Sequence, residues 1–193
     1  MAPRERLGIL GGTFDPVHIA HLVAGVEASA ALALDRTLLV VAPDPWQKRD
    51  RTLAPSEVRY SMVEAAVADI PCLESSRLEL DRAGPTYTID TVEALSETDR
   101  EIFLIAGSDV AARIDTWHRA GELRKMVTLA VVTREGHQPV APVGWEVAAV
   151  AMPRLDVSSS DLRARVAAGR PIDGLIPPAA VRVIRAHGLY TRN

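Results

Sequence analysis

The sequence predicts an α/β protein with a Rossmann-like, doubly wound, mostly parallel sheet and a small C-terminal helical subdomain. Short apolar, β-branched runs alternate along the chain with segments of helical periodicity, as in folds built from β-α-β units. Several of these runs are continuously apolar, which is typical of parallel strands covered on both faces. In such sheets ligands bind beyond the carboxyl ends of the strands, so a functional site is expected in the turns that follow them.

The predicted elements alternate as this fold requires. The strands are Leu7–Leu10, Thr37–Ala42, Leu73–Glu79, Glu101–Ala106, Thr128–Thr133 and Val147–Ala151. The helical segments between them are Val17–Leu32, Ser56–Ala68, Thr88–Ser96, Val110–Ile114 and Gly121–Met126. A helix from Asp161 to Ala168, closed by Gly169, and another from Pro177-Pro178 to Gly188 follow the last strand. We expect one domain, residues 1–193, with a core over 1–155 and the helical part over 156–193.

Composition and charge narrow the class of protein. The chain has 193 residues, of which 48% are hydrophobic, which is enough for a sizeable core. A net charge of −3 argues against broad binding to nucleic acids or anionic membranes. Cys72 is the only cysteine, which excludes an intrachain disulfide and a cysteine-based zinc site. No signal peptide or membrane span is recognisable, so a cytoplasmic protein is expected, and a homo-oligomer is left open.

The most informative segment follows the first strand and reads Gly11-Gly12-Thr13-Phe14-Asp15-Pro16-Val17-His18-Ile19-Ala20-His21. A glycine turn at the end of a buried strand can present main-chain N–H groups to a phosphate. Asp15 is predicted to cap the next helix and Pro16 to occupy its first position. Two histidines three residues apart can project from one helix face. Taken alone, such a turn and such a pair are also common in ordinary strand–helix junctions.

Four other segments carry polar or aromatic groups where ligands bind in this fold. The helix start at Ser158-Ser159-Ser160, with Arg163 one turn on, combines N–H, hydroxyl and guanidinium donors for phosphate, although serines also simply cap helices. Lys48 lies in the loop after the second strand. Gly107-Ser108-Asp109 follows another strand, and Trp117 offers a flat face for an electron-poor ring. The helix entry at Thr86-Tyr87-Thr88, with Thr88 as the expected N-cap, offers N–H donors.

Together these segments resemble the motifs of the nucleotidyltransferase superfamily that carries an HxGH signature. The first is similar to the GGTFDPxHxxH form of bacterial nicotinate-mononucleotide adenylyltransferases, with Ala20 where glycine is usual. Val157–Arg163 resembles the motif ISSTxIR, and Gly107–Trp117 resembles GxDxxxxxxxW. The Lys48 loop resembles PPHK with Trp46-Gln47 in place of Pro-His, and the segment at Thr86 resembles SYTIDTL. The resemblance extends from Gly11 to Tyr190.

The resemblance implies an enzyme of NAD biosynthesis that transfers AMP from ATP to nicotinate mononucleotide, releasing pyrophosphate. It implies that the phosphates are handled by His18, His21, Lys48 and Arg163. It implies ATP binding by Gly11, Gly12, Thr13, Phe14, Gly107, Asp109, Ser158, Ser159 and Ser160, and nicotinate-mononucleotide binding by Thr86, Tyr87, Thr88 and Trp117. Mg²⁺ is the expected cofactor, held mainly by nucleotide phosphates and water. N–H donors at a helix entry favour a nicotinate carboxylate over a carboxamide. Arg59, Trp145 and Leu189-Tyr190 are expected to be structural.

Alternative functions depend on the same motifs. Pantetheine-phosphate adenylyltransferases usually carry threonine where this chain has His18, and cytidylyltransferases end in an RTEGIS-type motif, unlike Ser158–Arg163. A non-catalytic nucleotide-binding module is expected to lose some of the phosphate-handling residues. An aminoacyl-tRNA synthetase fragment shares the HxGH element, but this chain is short and acidic, with no KMSKS-like loop or basic tRNA-binding domain.

Overall fold

A six-stranded parallel sheet forms the centre of the computed structural model, which describes residues 4–43, 53–96, 99–134 and 142–191. The strands are β1 Glu5–Gly12, β2 Arg36–Val41, β3 Leu73–Ser76, β4 Arg100–Gly107, β5 Val127–Arg134 and β6 Val147–Met152. Every pairing between neighbouring strands is parallel, so the predicted α/β class and parallel sheet are confirmed.

The strand order places a crevice at the middle of the sheet. The order is β3-β2-β1-β4-β5-β6, so the chain leaves β1 toward one edge and later returns beside it to fill the other half. Where the direction of winding reverses, the connections after β1 and β4 diverge to opposite faces and leave room for a ligand. Ile9 pairs with Leu104, so the strand ends at Gly12 and Gly107 lie side by side at this point.

Helices cover both faces of the sheet. They are α1 Ile19–Ala31, α2 Ser56–Val67, α3 Thr88–Leu95, α4 Ser108–Ala111, a 3₁₀ turn Ile114–Thr116, α5 Ala120–Leu123, α6 Ser159–Ala167 and α7 Pro178–Ala186. The apolar sides of α1, α2, α6 and α7 pack on one face, and those of α3, α4, the 3₁₀ turn and α5 pack on the other. None of the helices in the described part of the chain is long and apolar enough to cross a membrane.

Successive buried side chains of a strand pack into the cores on opposite faces of the sheet. In β4, Phe103 and Ile105 join the apolar cluster under α1 and α2, whereas Ile102 and Leu104 join the cluster under α3 and α5. Successive side chains of a strand point to opposite faces, so a strand with helices on both sides must be apolar throughout. The C-terminal helices share the first of these clusters through residues such as Leu162 in α6.

Some element boundaries differ from those that the sequence predicts. β3 ends at Ser76 rather than Glu79, because the chain turns there and the N–H of Asp81 donates to the carbonyl of Arg77 at 3.0 Å. The short helices near residues 110 and 121 begin earlier than their periodicity predicts, as α4 and α5. The predicted helix end at Gly169 is confirmed by its φ of 66°, a left-handed conformation that favours glycine.

Candidate active site

The loop after β1 folds closely over the end of its own strand. A Cβ on Gly12 would lie 2.9 Å from the Phe14 ring, whereas a Cβ on Gly11 would meet no atom within 4 Å and so faces open space. Phe14 is 2% exposed and has a φ of 49°, which few residues other than glycine adopt. Its ring meets the ring of His21 edge-on, with centroids 5.0 Å apart. The packing of the turn therefore positions one of the two histidines.

The two histidines are brought together at the start of α1. His18 is the N-cap residue, with extended φ and ψ of −147° and 170°, and its N–H donates to Nδ1 of His21 at 3.2 Å. This is one of the two hydrogen bonds of a capping box. The imidazole rings stack, with centroids 3.7 Å apart. Two adjacent imidazoles thus lie at the carboxyl edge of the central strand.

The predicted helix start at Asp15 and Pro16 is wrong. The helix begins at Ile19, whose N–H donates to the carbonyl of Leu175 at 3.1 Å. Asp15 cannot cap it because its carboxylate points into the protein, where it accepts hydrogen bonds from other segments. The Asp15–Pro16 peptide bond is cis.

His18 is neutral at physiological pH. It is 5% exposed, and burial lowers its pKa from 6.5 to about 4 because the charged imidazolium loses its hydration. Within the described residues, its Nδ1 has no hydrogen-bond partner. A neutral imidazole can still donate one hydrogen bond to a phosphate oxygen.

The depressed pKa of His18 predicts a specific loss of stability in acid. The folded state resists a proton that the unfolded chain accepts, so the free energy of unfolding falls as the pH drops from 6.5 through 4. At pH 4.5 this one group should lower it by about 2–3 kcal/mol relative to pH 7. Urea unfolding of the wild type and of His18→Gln at both pH values measures this. Between pH 7 and pH 4.5, the glutamine variant should lose about 2–3 kcal/mol less stability than the wild type. Equal losses in the two proteins would contradict the depressed pKa of His18.

The serine-rich helix start packs directly against the histidine loop. Ser158 caps α6 by accepting the N–H of Asp161 at 3.1 Å, so the helix begins two residues before the prediction. The hydroxyl of Ser159 donates to the carbonyl of Pro16 at 3.0 Å, between residues 143 positions apart in the sequence. Two motifs that are distant in the sequence therefore form one surface, as the sequence predicts for a single site.

Arg163 extends from α6 to the same loop. Its Nη1 donates to the main-chain carbonyl of Asp15 at 2.6 Å, and its Nη2 donates to Oγ of Ser160 at 3.2 Å. The side chain is 19% exposed. A guanidinium has five N–H donors, so these contacts orient it while leaving donors for a ligand. The result is a cation held on the loop that leads to the two histidines, at the start of α6.

Asp15 is a buried residue that contacts three distant segments, and the sequence does not reveal these contacts. It is 2% exposed, and its Oδ1 accepts hydrogen bonds from the Tyr190 hydroxyl at 2.7 Å and the Ala54 N–H at 3.3 Å. Its Oδ2 lies 3.7 Å from Nη1 of Arg163. The tyrosine is 175 positions away in the sequence, and no local pattern signals such a contact.

Arg59 joins the segments that follow β1 and β2 to the residues just before α2. It is 1% exposed and donates to the carbonyls of Thr13, Ala42, Pro43 and Ala54 at distances between 2.6 and 3.0 Å. Hydrogen bonds from a charged group contribute about 1.5–3 kcal/mol each when buried. These bonds fix the main chain at Thr13, beside the histidines, and support the structural role predicted for Arg59.

The second predicted nucleotide segment lies at the end of β4. Gly107 ends the strand, the hydroxyl of Ser108 donates to the carbonyl of Val132 at 3.3 Å, and Asp109 is exposed in the first turn of α4. Because β4 lies beside β1, this segment borders the crevice opposite Gly12. The structure thus brings the β1 and β4 motifs to one edge of the sheet.

The aromatic segments meet on the face that α3 and α5 cover. The rings of Tyr87 and His118 stack with centroids 4.2 Å apart, and the half-buried Trp117 packs on the same cluster as Tyr87. The predicted cap at Thr88 is wrong: Tyr87 has the extended N-cap conformation, and its carbonyl accepts the N–H of Asp90 at 3.1 Å. Trp145 is 7% exposed and donates to Asp115 at 2.8 Å, as expected of a structural residue.

A carboxylate lies next to the predicted nicotinate segment. Burial raises the pKa of Glu79, while the Thr91 hydroxyl, which donates to it at 2.8 Å, and a hydrogen bond with Thr86 act in the opposite direction. The Arg82 guanidinium, which donates to the Thr91 hydroxyl at 3.3 Å, also opposes the rise. Thr86 is therefore engaged with the protein, and its hydroxyl is oriented by this carboxylate.

The predictions for Lys48 and for the metal ion concern groups that take no part in the contacts described above. Lys48, with Trp46 and Gln47, lies outside the described residues. Among the described residues, no cluster of three or more His, Cys, Asp or Glu side chains could hold a metal ion. The donors gathered at the loop are imidazole, hydroxyl and guanidinium groups, which suit phosphate oxygens and hence a metal ion that arrives bound to phosphate.

Comparison with known proteins agrees with this geometry. The protein family described as cytidylyltransferase-like matches residues 9–165. A relative from Corynebacterium kroppenstedtii, named "probable nicotinate-nucleotide adenylyltransferase", is 44% identical over 96% of this chain and 90% of its own length. A relative of the same name from Acidothermus cellulolyticus is 42% identical over 98% of this chain and 96% of its own length.

Solved structures share the fold. The nicotinic acid mononucleotide adenylyltransferase of Plasmodium falciparum, complexed with NaAD, superimposes with a TM-score of 0.78 at 19% identity. The match covers 97% of this chain and 98% of that one. The same enzyme complexed with APC gives a TM-score of 0.75.

Proposed function

The chain belongs to the cytidylyltransferase-like family and, within it, to the nicotinate-nucleotide adenylyltransferases, and on this premise we propose that it transfers AMP from ATP to nicotinate mononucleotide. The products are nicotinate adenine dinucleotide and pyrophosphate, and the reaction belongs to NAD biosynthesis. The observation that carries the proposal is the junction of the His18 loop with the α6 helix start, made by the Ser159–Pro16 and Arg163–Asp15 hydrogen bonds. We also propose a cytoplasmic location, because the reaction consumes cellular ATP.

The chemistry of this junction suits nucleotidyl transfer. The attacking group is a 5′-phosphate oxygen that is already ionised, so no strong general base is needed. Charge builds up on the α-phosphate and on the departing pyrophosphate, and oriented donors stabilise it. A neutral His18 and the Arg163 guanidinium supply such donors at the carboxyl edge of β1. Alignment of the two substrates for in-line attack would provide much of the remaining rate enhancement.

Each predicted residue takes a role in this proposal. His18 and His21 bind the ATP phosphates, while Arg163 and the start of α6 bind the triphosphate. The adenosine part lies along the crevice between the ends of β1 and β4, bordered by Gly11–Phe14, Gly107 and Asp109. Lys48 is assigned to phosphate positioning at the reacting centre from the motif resemblance alone.

The acceptor is proposed to bind at the α3 entry. The main-chain N–H groups at the start of α3, in the segment Thr86-Tyr87-Thr88, suit a carboxylate, and the half-buried ring of Trp117 suits a pyridine ring. Mg²⁺, held by phosphate oxygens and water, would supply additional neutralisation of the triphosphate charge. The protein's own part is to hold the two substrates at adjacent positions.

A comparison of acceptors tests the proposed function. Pyrophosphate release is measured with ATP and Mg²⁺ in the presence of nicotinate mononucleotide, nicotinamide mononucleotide or 4′-phosphopantetheine. The nicotinate compound should react fastest, and kcat/KM for the nicotinamide compound should be lower by about tenfold or more, since a helix-entry anion contact is lost. Release with phosphopantetheine alone would keep the fold and overturn the acceptor. Release with none of the three would overturn the proposed reaction.

A further inference from the structure

We propose that Tyr190 is a positioning residue for ATP: its hydroxyl occupies one oxygen of the buried Asp15 carboxylate and thereby prevents a two-point ion pair between Asp15 and Arg163. The guanidinium then keeps N–H donors for phosphate. The inference rests on the proposed function, because it takes Arg163 to contact the triphosphate of ATP.

The geometry around Asp15 shows which contacts are made and which are not. Oδ1 accepts the Tyr190 hydroxyl at 2.7 Å and the Ala54 N–H at 3.3 Å. Oδ2 lies 3.7 Å from Nη1 of Arg163, beyond a good hydrogen bond, and has no hydrogen-bond partner within the described residues. Nη1 donates instead to the main-chain carbonyl of Asp15 at 2.6 Å. The guanidinium is thus held by the backbone while the carboxylate stands slightly apart.

The two-point pair is the arrangement that these groups would otherwise favour. Arginine and carboxylate bind through two parallel N–H···O bonds, and the attraction is strong where water is excluded. Asp15 is 2% exposed, so its carboxylate is largely removed from bulk water. A carboxylate needs both oxygens to form the two-point pair. Tyr190 and Ala54 occupy both acceptor positions of Oδ1, so loss of the Tyr190 hydroxyl would free one of them for Arg163. If the pair formed, it would use two donors of Arg163 and cancel its charge.

Tyr190 is held in a costly backbone conformation at this contact. Its φ is 63°, in the left-handed region, which costs about 1–3 kcal/mol for a residue other than glycine. Burial and the neighbouring Asp15 raise the pKa of its hydroxyl, so the group stays protonated and donates. The strained backbone and the buried hydroxyl thus coincide at one contact, the hydrogen bond to the carboxylate of Asp15.

The test compares ATP binding by Tyr190→Phe and wild type, measured by calorimetry with Mg²⁺ and no acceptor. The Kd for ATP should rise about tenfold, as expected when a charged donor is lost to an internal partner. The double variant Asp15→Asn with Tyr190→Phe should recover most of this loss, since an amide cannot form the ion pair with Arg163. Tyr60→Phe is the matched control, because its hydroxyl donates to Glu64 and accepts from Ser75 in β3, and neither contact involves Asp15 or Arg163.

The outcomes separate this inference from a purely structural role and from the proposed function. Thermal unfolding is recorded for every variant. A lower melting temperature of Tyr190→Phe with an unchanged Kd for ATP would overturn the inference, as would a double variant that binds ATP no better than the single one. The readout is ATP binding, so the test of Tyr190 remains valid even if nicotinate mononucleotide proves not to be the acceptor. A wrong acceptor would contradict the proposed function alone.

Discussion

Replacing His18 by alanine is expected to lower kcat by about 10²–10³-fold, the usual effect of removing a donor that stabilises charge in the transition state. The imidazole is neutral and buried beside His21, so it acts as a fixed donor at a position that water enters poorly. Negative charge increases on the phosphates as the bond to pyrophosphate breaks, and alanine offers nothing there. Steady-state kinetics with ATP and nicotinate mononucleotide measure the effect.

The fold should survive this substitution. The loop is held by contacts that do not need the His18 imidazole, such as the bond from the His21 N–H to the His18 carbonyl at 2.9 Å and the bond from the His18 N–H to Nδ1 of His21. Circular dichroism and thermal unfolding check this. His187→Ala is the matched control, because that histidine is exposed beyond the end of α7. Near-normal turnover by the folded His18→Ala variant would remove His18 from the site.

Replacing Arg163 by alanine is expected to lower kcat/KM for ATP by about 10²-fold or more, since a charged hydrogen-bonding partner of phosphate contributes several kcal/mol. The KM for nicotinate mononucleotide should change much less, because the acceptor binds at the α3 entry. Stability should also fall, since Asp15 would remain buried without the guanidinium that lies 3.7 Å from its Oδ2. Initial rates over a matrix of both substrate concentrations separate the two KM values.

Two further variants define the role of Arg163. Arg163→Lys keeps the charge but not the planar fork, so it should recover only part of kcat/KM. Arg165→Ala is the matched control on the same helix, because this side chain donates to the Pro171 carbonyl, away from the loop. Equal losses in Arg163→Ala and Arg165→Ala would show that the effect comes from destabilising α6, and a normal kcat/KM in Arg163→Ala would exclude the phosphate contact.

The sheet could be predicted from the sequence because its signal is local. Continuously apolar runs such as Phe103–Ala106, alternating with helical segments, are typical of strands covered on both faces. Boundaries were predicted less well, because caps depend on contacts between distant segments. Asp15 is of a residue type that often caps helices. Here Tyr190 and Ala54 donate hydrogen bonds to its carboxylate, and the helix begins at Ile19.

The candidate site was only partly predictable for the same reason. The spacing of the histidines and the serine-rich helix start are local patterns, and the fold brings them together. The contacts of Arg59 and Tyr190 link loops that are far apart in the sequence, so their chemistry could not be inferred from neighbouring residues. The sequence predicts a structural role for Tyr190, and the positioning role is inferred only from its hydrogen bond to Asp15.

The fate of the α-phosphorus of ATP distinguishes adenylyl transfer to nicotinate mononucleotide from hydrolysis of ATP. The protein is incubated with nicotinate mononucleotide, Mg²⁺ and ATP labelled at either the α- or the γ-phosphorus, and the products are separated by chromatography. If AMP is transferred to the acceptor, the α-label appears in a dinucleotide and the γ-label in pyrophosphate. Release of the α-label as free AMP, or no dinucleotide at all, would contradict adenylyl transfer to this acceptor.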